Sequence, residues 1–96
     1  MKASAHFADN CLVISGELNF VTVVNLWSES LPLLAKHNAL HIDLSRITSA
    51  NSAALALLLE WLKYARRENK TISFKNTPSQ IQSIAAVAGI DNLLLS

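Results

Sequence analysis

The sequence carries little punctuation. Its 96 residues include two glycines, Gly16 and Gly89, and two prolines, Pro32 and Pro78. So few glycines cannot build a glycine-rich loop that cradles phosphates, which excludes a nucleotide site of that kind. A single cysteine, Cys11, excludes an intramolecular disulfide, and nothing in the cysteine usage points to an oxidising compartment. Charge is sparse too: 16% of the residues are charged and the formal net charge is +1. That balance leaves no footprint for a polyanion, so no nucleic acid is expected as partner. The basic residues are scattered, apart from Lys63, Arg66, Arg67 and Lys70. No apolar run approaches the ~20 residues of a membrane span, and MKASAHFADN contains no apolar signal core. The expectation is a soluble, cytoplasmic protein without direct membrane insertion.

What is present is apolar. A hydrophobic content of 51% argues against disorder. A chain of this size buries roughly two thirds of its unfolded surface, enough for one core without staples. No repeat, linker or low-complexity tract interrupts it, so residues 1–96 read as one domain.

The elements follow from periodicity. CLVISGEL (11–18) reads as a strand, with Asp9-Asn10 as the turn before it and Ala3 to Phe7 as a hairpin partner. Phe20 to His37 reads as a helix with Val23, Val24, Trp27, Leu31 and Leu34 inward, kinked or restarted at Pro32. ALHIDLS (39–45) alternates, with Leu40, Ile42 and Leu44 inward, and TISFK (71–75) does the same with Ile72 and Phe74. Fully buried parallel strands would be continuously apolar. The alternation therefore implies one face covered by helices and one more open. A helix runs from Asn51 or Ser52 to about Glu68, closed by Asn69, with Glu60, Lys63 and Arg67 facing solvent or flanking a partner contact and Leu58 facing the core. The last helix has Thr77 as N-cap, Pro78 at its first position, Gln80 completing a capping box and Gly89 ending it. Ile81, Ile84, Ala85 and Ala88 form its buried stripe, and GIDNLLLS is an apolar tail packed back on the domain. The predicted fold is a small α/β domain, β-β-α-β-α-β-α, with a mixed sheet and helices mainly on one face.

Catalytic constellations are missing. His6, His37 and His41 form no ligand set, so neither a metal nor another cofactor is expected. Cys11 has no nearby base and reads as a small core hydrophobe. The acidic residues show no paired spacing, and Trp27 and Trp61 read as core residues on amphipathic helices. An enzyme is not expected.

HIDLSRITSANSAALALLL resembles the signature of the STAS domain family, a hydrophobic strand ending in Asp-Leu-Ser, a short loop, then Asp-Ser/Thr-x-Gly-Leu opening a helix. Ile42, Asp43, Leu44 and Ser45 match the strand end, Ser52 the hydroxyl and Leu55 the apolar position. Ser15-Gly16-Glu17-Leu18 matches the Gly-x-Leu after the second strand. Asn51 stands where the family has an acid, and Ala54 where it has glycine. The length, the IDLS strand end and the LALLL helix resemble more closely the STAS subunits of the Mla phospholipid transporters, ABC systems that maintain outer-membrane lipid asymmetry. The resemblance implies a non-catalytic STAS accessory subunit that binds and regulates the transporter's ATPase subunit. Through that partner it would sit at the inner face of the inner membrane. The alternative it implies is an anti-sigma factor antagonist switched by phosphorylation of Ser52. Self-association stays open.

The helix start itself, NSAALALLLEW, is apolar on all sides from Ala53 to Leu59. Ser and Asn are both good N-caps. Only one of Asn51 and Ser52 can fill that position, which leaves the other spare. The spare polar group, with Ala53, Ala54 and Leu55, reads as a flat patch that a partner backbone can approach. The expected interface is therefore Asn51, Ser52, Ala53, Ala54 and Leu55.

Overall fold

Asp9 and Asn10 hold positive φ, 53° and 64°. Asp and Asn tolerate this region better than other non-glycine residues, and a two-residue type I′ hairpin turn requires it twice. The turn joins β1 (Ala3–Ala8) to β2 (Cys11–Leu18) as antiparallel neighbours. The computed structural model describes residues 3–90. Of the predicted apolar tail, residues 91–96 lie outside that range.

After the hairpin come α1 (Thr22–Leu34), β3 (Ala39–Ala50), α2 (Ser52–Arg67), β4 (Thr71–Lys75) and α3 (Ser79–Val87). The sheet order is β1-β2-β3-β4, with β2, β3 and β4 parallel. Each new parallel strand is added on the same side of the last. Two right-handed crossovers then place α1 and α2 on one face. The element order and the mixed sheet agree with the sequence reading. Leu40, Ile42 and Leu44 of β3 point into the core, as do Leu12 and Ile14 of β2 and Leu55, Leu58 and Trp61 of α2. Glu60, Lys63 and Arg67 are exposed, with Glu60 and Lys63 3.6 Å apart.

Three local expectations are overturned. The first concerns the phase of α1. Its buried residues are Thr22, Leu26, Ser30 and Leu34, whereas Val24 is 65% exposed. Two of the four buried positions are polar, so apolar periodicity finds only part of the stripe: Leu34 is buried and Val23, Trp27 and Leu31 are half-buried, but Val24 faces out. The helix start sets the phase instead. Asn19 Oδ1 accepts from the N–H groups of Val21 and Thr22 (2.9 and 3.0 Å), and Thr22 Oγ1 accepts from Asn19 N–H (3.0 Å). Each residue thus satisfies the other's orphan donor, as in a capping box. Thr22 also donates to the Glu17 carbonyl (2.7 Å), which turns its side chain inward. Pro32 does not interrupt α1. It is exposed and lies in the final turn, where one lost intrahelical bond matters least.

The second is the length of β3, which continues to Ala50 rather than ending at Ser45. The register with β2 shifts twice, between Val13 and Ser15 and between Gly16 and Glu17. Asp43 produces the first shift, since its Oδ1 accepts from Ser45 N–H two residues on (2.9 Å) and bends the strand locally. Gly16, at φ 101°, supplies a backbone conformation that a side chain would strain.

The third is the start of α3. Thr77 does not cap it. Pro78, at φ −59° and ψ 148°, occupies the cap position, and no side chain caps the helix. Gln80 reaches across to accept from Ala50 N–H (3.0 Å), tying α3 to the end of β3. Ile81 and Ala85 are buried and Ile84 half-buried, but Ala88 is exposed. The predicted helix endings are observed: Asn69 (φ 57°) and Gly89 (φ 74°) are left-handed. Lys70 N–H bonds back to Ala65 O (2.8 Å) and Ile90 N–H to Ala85 O (2.9 Å).

α1 and α2 are joined by a buried polar bond. Trp61, fully buried, donates its indole N–H to Ser30 Oγ (3.0 Å), and Ser30 donates to the Trp27 carbonyl (2.9 Å). Ser30→Ala leaves the indole N–H unsatisfied and should lower stability by about 1–3 kcal/mol in urea melts. Leu58→Ala should cost about 2–5 kcal/mol by the same measurement, because it empties a core position.

Candidate partner interface at the carboxyl end of the sheet

β2 and β3 end side by side. Leu18 lies opposite Ala50, and Asn51 N–H donates to Leu18 O (3.2 Å). The starts of α1 and α2 therefore share one end of the sheet. The cap between Asn51 and Ser52 is resolved in favour of Asn51. Its backbone is extended (φ −122°, ψ −165°) and its Oδ1 accepts from Ala53 N–H (2.8 Å). Ser52 is exposed, and its hydroxyl makes no hydrogen bond to any described residue.

The rest of the predicted patch faces the other way. Ala53 and Ala54 are 0% exposed and Leu55 7%. They hold the first turn of α2 close against the core and present no side chain to a partner. At position 54 the methyl that departs from the family's glycine is accommodated inside the core. Of the five predicted interface residues, only Asn51 and Ser52 have exposed side chains.

The surface beside them was not legible from periodicity. Phe20, Val21 and Val24, at 69%, 76% and 65% exposure, are three of the four exposed large hydrophobics among the described residues. All three sit at the start of α1, immediately after the strand that pairs with Ala50. The signal that could have found them is the Asn19-x-x-Thr22 cap, which sets the helix phase and turns Val21 and Val24 outward.

Two other surfaces have shape. On α2, Ala56, Leu59 and Leu62 line a groove of about 550 Å³ edged by Lys63, Arg66 and Arg67. On the open face of the sheet, His6, Cys11, Ser15, Asp43 and Arg46 surround a polar hollow of about 330 Å³. Lys75 Nζ lies 3.7 Å from Cys11 Sγ at the same face. Among the described residues, no group of His, Cys, Asp and Glu could hold a metal, and no helix is long and apolar enough to cross a membrane. The Asp43 carboxyl lies below its ordinary pKa of 3.8, chiefly because Ser45 N–H donates to the charged form. Burial opposes that shift, and the Asn76 side chain adds a second, weaker lowering bond (3.2 Å).

The cap assignment separates two neighbouring substitutions. Asn51→Ala removes the cap and should cost about 1 kcal/mol. Ser52→Ala should move stability by less than ~0.5 kcal/mol. Paired urea melts read the difference. Asp43 makes a separate prediction. A depressed carboxyl pKa contributes stability above its unfolded value and loses it as pH falls through the folded one. The parent should therefore lose stability as the pH drops below 3.8, and Asp43→Asn should lose less over that range.

A search of curated proteins returns no match. Solved structures give the fold. The anti-sigma factor antagonist SpoIIAA in its unphosphorylated form superposes with a TM-score of 0.73 at 12% identity, covering 98% of this chain and 85% of that one. An anti-sigma factor antagonist from Mycobacterium paratuberculosis superposes with a TM-score of 0.74 at 22% identity, covering 97% and 81%. At such identities the likeness is one of fold. The family model described as "Mlab, STAS domain" matches residues 1–96. The chain belongs to the STAS domain family, in its Mlab branch.

Proposed function

We propose that this protein is a non-catalytic accessory subunit that docks on, and regulates, the ATPase subunit of an ABC phospholipid transporter maintaining outer-membrane lipid asymmetry. The contact is built on Asn51 and Ser52 with Phe20, Val21 and Val24 beside them. It places the protein at the cytoplasmic face of the inner membrane through its partner. The observation that carries this reading is Ser52. Its hydroxyl is exposed at a helix start that Asn51 already caps, so folding does not require it. An adjacent apolar patch offers the buried area that a stable contact needs. The Mlab family match supports the choice of an ABC transporter as partner.

A second reading is favoured by the same hydroxyl. In a regulator of anti-sigma type, Ser52 would be the phosphorylated residue. A phosphate there would meet the positive end of α2, a favourable position electrostatically.

Ser52→Arg tests the first reading. It should fold as the parent does and lose binding to the transporter ATPase at least tenfold, by bulk and by repulsion from the helix's positive end. Phe20→Asp should fold and lose binding as well. Leu58→Ala should reduce capture only in proportion to the folded protein lost. If folded Ser52→Arg binds the ATPase as well as the parent, the interface lies elsewhere. Ser52→Asp separates the two readings, since loss of an ATPase supports the transporter and loss of an anti-sigma kinase supports the switch.

A further inference from the structure

The sheet has two edges, and they are defended differently. β4, at one edge, carries Lys75 within the strand. β1, at the other, has no proline and no Lys, Arg, Asp or Glu over Ala3–Ala8. Edge strands without charge or proline expose backbone groups that another strand can take up.

The hairpin decides which groups are free. Ala8 and Cys11 flank a two-residue turn, so they exchange both backbone bonds. Bonded and non-bonded pairs alternate from there. Ala8, His6 and Ser4 therefore bond toward β2, while Phe7, Ala5 and Ala3 aim N–H and C=O outward. No described hydrogen bond takes up those outward groups. The side chains alternate as well. Ala3, Ala5 and Phe7 are half-buried toward the helices, and Ser4, His6 and Ala8 are exposed.

We propose that the outer edge of β1 pairs antiparallel with β1 of a second copy of this chain, extending the sheet across a two-fold axis. The register places Ala5 on the axis, opposite its own copy, with Ala3 opposite Phe7 at either end. This register engages all three outward-facing residues of each strand. On the helix side it sets a large side chain against a small one at both ends and small against small in the middle. On the open side Ser4 faces His6 of the copy, and no like formal charges meet. A foreign strand would need the same alternation of size and the same lack of charge, whereas the chain is its own complement. β2 separates this edge from β3 and Ser52.

Sedimentation velocity from low micromolar to submillimolar protein tests the pairing. The parent should show a concentration-dependent dimer. Ala5→Pro removes only an outward N–H, at a position where an edge strand tolerates proline. It should keep the parent's far-UV circular dichroism and raise the dimer dissociation constant at least tenfold. Ser52→Arg should leave self-association unchanged, so failure of the partner reading and failure of this one are distinguishable. A Ser4→Cys, His6→Cys double substitution on a Cys11→Ser background provides a test that does not depend on Ala5→Pro folding. Residues opposite each other without mutual hydrogen bonds lie about 4.5 Å apart at Cα, within reach of a disulfide. Mild oxidation should give a covalent dimer. A parent that stays monomeric throughout overturns the proposal. So does a dimer that survives in folded Ala5→Pro, or a double-cysteine variant that does not cross-link.

Discussion

The indole N–H of Trp61 is buried where no water reaches it, and the hydroxyl of Ser30 accepts its hydrogen bond. A tryptophan contributes much apolar area to a core only if that N–H finds a partner. Ser30 supplies one from a different helix and remains satisfied through the Trp27 carbonyl. The bond fixes α2 against α1, and Tyr64 of α2 meets the Trp27 ring edge-on at 6.3 Å as a further contact between them. Helix–sheet packing alone would tolerate small shifts of one helix past the other. A directional bond in a dry interior does not, because any slip leaves a polar group unpaired.

With the two helices held, their starts are held as well. The bulged course of β3 carries Ala50 alongside Leu18, and the Asn51 N–H bond to Leu18 O closes the end of the sheet. Asp43 drives the first bulge through its bond to Ser45 N–H. The Asp43-Leu44-Ser45 segment, in the middle of β3, therefore has a mechanical role. It sets where the strand finishes and where the following helix begins. Ser52 lies one residue beyond the cap, free of structural duty, and the exposed start of α1 lies beside it.

The two surfaces we propose for partners lie apart. One would use the helix starts at the carboxyl ends of β2 and β3, and the other the backbone edge of β1. The first would rely on exposed side chains, which can be substituted with little expected effect on the fold. The second would rely on main-chain groups, so only backbone changes such as proline address it directly.

Much of this was determined by local sequence. Asp9-Asn10 accepts two positive φ values, Leu40-x-Ile42-x-Leu44 alternates, and Asn69 and Gly89 can be left-handed. Each is a property of a few neighbouring residues, and the element order follows from them. The family resemblance was legible in the order of IDLS and the serine at the helix start. What only the tertiary structure decided depends on contacts distant in sequence. Thr22 and Ser30 point inward because their hydroxyls find partners there, which a count of apolar residues cannot anticipate. Gln80 abandons its own helix for Ala50, and β3 outruns its alternating segment because β2 pairs with it. Asn51 and Ser52 were equally good caps on propensity, and the backbone placed between β3 and α2 chose Asn51. The same packing turned Ala53, Ala54 and Leu55 inward, since the first turn of α2 must lie close on the core to bring Trp61 within reach of Ser30.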